Sequence, residues 1–260
     1  YLVVEKTRPH RREAPVELLW PELPPGTGTA DLRHTLANLR KAIDDQHATP
    51  PFLLITPTTL QWNAASAVVS DLDRFYTLLA HDPTPAARQA ALALYQGRFV
   101  EGFALDGSPE FELWLTVQRE RVDALAAQAL TSLVNHAVQQ GDFTQAVTWT
   151  QRQLALDALN EDLYTQLIWL LAHSGQRTAA LHYHKLCCQL LEQELGVEPQ
   201  AGLQTLVARI RSGSPDLGEV YGQDGQALVA PAPLPVVPLP AAPTHHLPTP
   251  PPPSSGVRRS

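Results

Sequence analysis

Methionine is absent from the 260-residue chain, and cysteine occurs only as the adjacent pair Cys187 and Cys188. Neighbouring cysteines in regular helix do not bridge each other, which fits a reducing cytoplasm. Basic residues are in the minority: 19 Lys and Arg against 26 Asp and Glu give a formal net charge of -7. Binding of polyanions through bulk charge is thereby excluded, and any nucleic-acid contact must be a local patch. No apolar run approaches the ~20 residues that cross a bilayer, and no charged-then-apolar leader opens the chain. A Gly-rich phosphate loop ending in Lys-Ser or Lys-Thr is missing, as is a Gly-x-Ser-x-Gly nucleophile turn. An enzyme is therefore not expected, nor a cofactor. The missing methionine and the opening Tyr1-Leu2-Val3-Val4 read as a piece of something longer. What remains, at 44% hydrophobic content, is enough for one or two domains with real cores.

The most informative stretch runs from Ala30 to Ile43. Leu32, Leu36, Leu39 and Ile43 recur at steps of four, three and four, which gathers them into one helical stripe. At about 100° per residue, His34, Ala37, Asn38 and Lys41 point away from that stripe, with Arg33 and Arg40 along one flank. Thr29 stands where a hydroxyl caps the first turn. An outward face of cations, an amide and an imidazole suits a major groove: Arg and Lys meet phosphate or guanine, and Asn pairs with adenine edges. An ordinary amphipathic helix with a solvated basic side is the alternative.

Its neighbours give this helix a context. Tyr1–Glu5 reads as the end of a helix, Thr7–Arg12 as a basic turn, and Glu13–Trp20 as a short helix with Pro15 in its first turn. Prolines and glycines between Pro21 and Gly28 form the connection. Phe52–Thr56, Pro57-Thr58 and Thr59–Trp62 then read as strand, turn and strand. Helix, turn, helix and hairpin in that order is a winged helix-turn-helix arrangement over residues 1–80, with the hairpin as wing. Arg8, Arg11, Arg12, Arg33, Arg40 and Lys41 would face phosphates. Asp71 and Asp73 fit a strand leading out of the wing or a helix start.

Residues 86–213 are expected to be almost entirely helical. Gly141 and Gly175 each interrupt a helical stretch, and the step of ~34 between them is the tetratricopeptide period. At that offset Ala146 falls on Ala180, Trp149 on Tyr183 and Ala137 on Leu171. Small residues recur where two antiparallel helices cross closely, and aromatics where one hairpin stacks on the next. Leu195-Gly196-Val197-Glu198-Pro199 ends the fourth helix, and Ala201–Arg211 is a closing one. Such repeats bind partners and carry no chemistry of their own.

Several phrases in order resemble one family: Val16–Pro21, Leu32–Lys41, Leu94–Phe99, Glu110–Trp114 and Glu194–Pro199. Together they look like the antibiotic-regulatory-protein type of transcriptional regulator, an OmpR-class winged helix followed by a bacterial transcriptional activator domain. The resemblance covers roughly residues 1–213 and implies sequence-specific binding of double-stranded promoter DNA at direct repeats. It also implies self-association through the helical repeats and contact with RNA polymerase. His34, Asn38 and Lys41 would then touch bases or the groove floor, and Arg11, Arg12, Arg33 and Arg40 would touch phosphates. The family's opening sheet and complete first helix are not visible, so the winged helix is expected to be truncated at its N-terminus. The competing reading is a tetratricopeptide-type interaction module of a signalling protein, with a degenerate winged helix.

Residues 214–260 change character, with eleven of the 24 prolines between Pro231 and Pro253. This reads as a disordered proline-rich linker or tail that builds no core. His184 and Cys188 share a helix face, yet no second pair of metal ligands accompanies them, so a zinc site is not expected. The fold class expected is mostly α: winged helix, helical repeats, tail.

Overall fold

The structure, a computed structural model, describes residues 1–24, 27–81, 83–214 and Leu217; the proline-rich stretch lies outside these. The chain opens with β1 (His10–Arg11), α1 (Glu13–Leu19), α2 (Thr29–Ala42), β2 (Leu53–Ile55) and β3 (Thr59–Trp62). β3 lies between β1 and β2 in an antiparallel sheet, with His10 opposite Leu60 and Leu53 opposite Trp62. The hairpin is the expected wing, and Phe52 and Trp62 stack across it at 5.9 Å. β1 is a correction, because Thr7–Arg12 reads as a turn in the sequence. The free edge of β3 pairs with it, and Arg12 N–H extends the contact to the Thr58 carbonyl. Pro9 just precedes the strand, where a missing N–H is tolerated. Tyr1–Glu5 makes a single turn, Tyr1 C=O accepting from Val4 and Glu5 N–H.

Leu32 and Leu36 of α2 bury against Leu60 of β3, with Val16, Trp20 and Ile55 around them. At about 1.5–3 kcal/mol for each fully buried aliphatic side chain, these leucines dominate what holds the helix on the sheet. Leu39, expected in the same stripe, is 37% exposed, because this small cluster ends one turn earlier. The N-cap of α2 is Gly28 rather than Thr29, and it makes no side-chain cap hydrogen bond. Gly28 is required for a different reason: a Cβ there would overlap Val16 Cγ1 of α1. We expect Gly28→Ala to push α1 off α2 and cost about 1–3 kcal/mol, read as a lowered denaturant midpoint. An unchanged midpoint would mean that the two helices are not this close.

Among the described residues seven helices follow: α3 (Asp71–Leu79), α4 (Pro85–Leu94), α5 (Pro109–Gln139), α6 (Phe143–Leu156), α7 (Glu161–His173), α8 (Arg177–Leu195) and α9 (Ala201–Ser212). From α3 to α8 each packs on the next, and α9 closes against α7 and α8. Asp71 and Asp73 lie in the first turn of α3, not on a strand; Ser70 and Asp73 form a reciprocal capping box there. The helical repeat is present. Gly141 and Gly175 follow α5 and α7 with φ of 73° and 78°, a left-handed turn that suits a residue without Cβ. Ala146 and Ala180, at equivalent places in α6 and α8, are both fully buried. Trp149 and Tyr183 pack partly buried against the same core.

That core has two parts. Phe75, Leu92, Val122 and Leu130 tie α3 and α4 to the stretch of α5 from Val122 to Leu133. Val134, Ala146, Leu167, Ile168, Ala180 and Ile210 unite the remaining helices. α5 also touches the winged helix: Ser108 Oγ, its N-cap, donates to the Leu18 carbonyl, and Trp114 Nε1 donates to Glu5 Oε1 at 3.0 Å. Tyr1 lies edge-on to Trp114. All the described residues fall within a single compact unit.

Candidate nucleic-acid interface

Burial of Leu32 and Leu36 leaves the opposite face of α2 outside. Arg33, His34, Asn38 and Lys41 are all exposed on that helix, and its one acidic residue, Asp31, sits in the first turn. A carboxylate there complements the helix dipole. The last turn carries Arg40 and Lys41. Arg40 is not a loose surface cation: it is half-buried, and its Nε donates to Asp45 Oδ2 at 2.7 Å.

The remaining two arginines lie on and just after β1, not on α2. Arg11, exposed, lies on β1 opposite Thr59. Arg12 is partly buried, and its Nε donates to the Thr56 carbonyl in the wing turn at 3.0 Å. The hairpin from Phe52 to Trp62 has no charged residue; cations beside it are supplied by Arg11 on β1 and by Arg12 just after that strand. The turn itself is tied by Thr56 Oγ1, which accepts from Thr59 N–H at 2.9 Å and lies 2.7 Å from Thr59 Oγ1. Lys6 is spoken for by Asp73 at 2.5 Å.

Sequence reasoning missed Asp45. Its carboxylate accepts the N–H groups of Phe52 at 2.6 Å and Leu53 at 2.9 Å as well as Arg40. Burial alone would raise its pKa; the hydrogen bond from Arg40 and those from the two amides outweigh that and hold it below the ordinary carboxylate value. Asp73 is likewise depressed, burial being outweighed by Lys6 and Ser70. A depressed folded-state pKa gives stability that is present above the unfolded value of about 3.9 and is lost as pH falls through the folded value. We therefore expect thermal stability to fall as pH drops below about 4, and less steeply in Asp45→Asn than in the parent. Equal acid slopes would remove Asp45 from that account.

The thiols are not reactive centres. Burial pushes Cys187 up to about 12, and burial also raises Cys188, whose Sγ lies 3.5 Å from His184 Nε2. These last two line a cleft of 670 Å³ between α8 and α9. Among the described residues no three His, Cys, Asp or Glu are placed to hold a metal ion. No helix among them is long and apolar enough to cross a membrane.

The profile of the family described as "Bacterial transcriptional activator domain" matches residues 70–211, beginning at the cap of α3. The chain is 30% identical over 236 residues to regulatory protein AfsR of Streptomyces coelicolor (strain ATCC BAA-471 / A3(2) / M145). That match covers 85% of this chain but 22% of AfsR, so the chain spans about a fifth of that relative's length. In fold it is similar to Mycobacterium tuberculosis EmbR, solved in complex with a low affinity phosphopeptide, with a TM-score of 0.57 at 22% identity. This likeness covers 83% of this chain and 58% of that one. The matched domain is a regulatory module without catalytic activity. With a winged helix packed in front of such a domain, the chain belongs to the bacterial transcriptional activator domain family, in its antibiotic-regulatory-protein branch.

Proposed function

We propose that the chain is a DNA-binding transcriptional activator that reads promoter DNA through α2. One observation carries the reading: Arg33, His34, Asn38 and Lys41 are exposed on a helix whose other face is seated on the winged-helix core. Asn38, His34 and Lys41 are the base or groove-floor contacts. Arg33, Arg40, Arg11 and Arg12 hold phosphates, the last two from beside the wing. The local cationic face offsets the net charge of -7 only at the DNA surface, so binding depends steeply on salt. The helical repeats serve self-association on DNA and contact with RNA polymerase, in the bacterial cytoplasm.

The test is selection from randomised duplexes, followed by anisotropy of the enriched sequences at two salt concentrations. A repeated motif is expected. Arg33→Ala should weaken binding to all sequences alike and reduce the salt slope by about 0.9. If nothing is enriched and binding disappears at moderate salt, the regulator reading fails. A second reading, an interaction module with a degenerate winged helix, draws on Leu113 and Val117. One turn apart on α5, they are 67% and 51% exposed, an apolar pair suited to a protein partner.

A further inference from the structure

The turn after α2 conceals a carboxylate on which two elements converge. The Asp45 side chain is 0% exposed, and its three donors come from opposite sides. Arg40 closes the last turn of α2, whereas Phe52 and Leu53 begin the wing. Only Nε of Arg40 is used. Its two Nη groups have no partner among the described residues, and its side chain is 39% exposed. A guanidinium is planar and rigid, so fixing one edge also fixes where the other edge points.

The weighing of two effects shows what such a carboxylate is suited to. A negative charge beside a phosphate-binding arginine reduces its long-range attraction for DNA. A side chain already held in place, however, surrenders less rotamer freedom when it binds. The arrangement gives up field and gains orientation. We propose that Asp45 is a positioning residue for DNA reading: it locks the wing to the end of α2 and aims the Nη edge of Arg40 at a backbone phosphate. This rests on the DNA-reading function proposed above.

Asp45→Asn is nearly isosteric and keeps an acceptor for the wing amides, so it separates charge from shape. In the full chain it is expected to weaken binding of a selected duplex about tenfold, the scale of a charge-assisted hydrogen bond. In an Arg40→Ala background the same change should cost less than about twofold, since there is nothing left to aim. A purely structural role would give equal losses in both backgrounds, and that result, or no loss in either, overturns the proposal. NMR of the free protein supplies an independent arm: the Arg40 Nε–H signal should be protected from exchange in the parent and not in Asp45→Asn. An unprotected Nε–H in the parent overturns the proposal while leaving the DNA reading intact. A parent chain that binds no duplex although Nε–H is protected overturns the DNA reading, and the positioning role with it.

Discussion

Truncating Leu130 to alanine is expected to lower the unfolding free energy by about 2–5 kcal/mol. Leu130 is 1% exposed in the second half of α5, where Phe75 of α3 and Leu92 of α4 reach the same cluster. Removing its isopropyl end leaves a void between three helices. None of the three can move in without leaving its other contacts, so little of the cavity closes. Leu113→Ala on the same helix is the control. Leu113 is 67% exposed, and its truncation should change stability by no more than about 0.5 kcal/mol. Urea titration followed by circular dichroism reads both. Similar midpoints for the two variants would mean that α5 is not packed on α3 and α4 through this face.

Asn38→Ala has the largest expected effect on recognition. A bidentate amide–adenine pair is worth about 1–3 kcal/mol of discrimination, so one position of the selected motif should lose between about fivefold and 150-fold of its preference. Affinity for unrelated duplexes should change little, because no phosphate contact is removed. Stability offers the counter-check. Asn38 is exposed mid-helix, and alanine is the better helix former by some tenths of a kcal/mol, so the variant should be no less stable than the parent. Loss of binding together with loss of stability would assign Asn38 to the fold instead of to the groove. Unchanged discrimination at every position would remove it from the reading set.

How far the sequence disclosed this molecule follows from where each signal is stored. Elements whose burial repeats at a fixed step were legible: α2 from Leu32 and Leu36, and the stacked hairpins from Gly141 and Gly175 with Ala146 and Ala180. In each, the physical requirement recurs along the chain. The two-residue strand β1 was not, since so short a strand has no periodicity and exists only because β3 offers a free edge. Leu39 misled, because periodicity reports which face is apolar and not where the covering core stops. In the candidate site the exposed set on α2 was readable from helical spacing. The partner of Arg40 was not, because Asp45 reaches both back to the helix and forward seven residues to the wing. Such contacts are set by tertiary geometry.

α5 has 31 residues, about 46 Å at the usual rise per residue. Its first turns are fastened to the winged helix through Ser108 and Trp114, and its last ones are built into the repeat core through Val134 and Ala137. A continuous rod of this kind acts as a lever. Over that length, a tilt of about 5° swings the far end by about 4 Å. A displacement of the repeats and a displacement of the winged helix are therefore coupled through this single element.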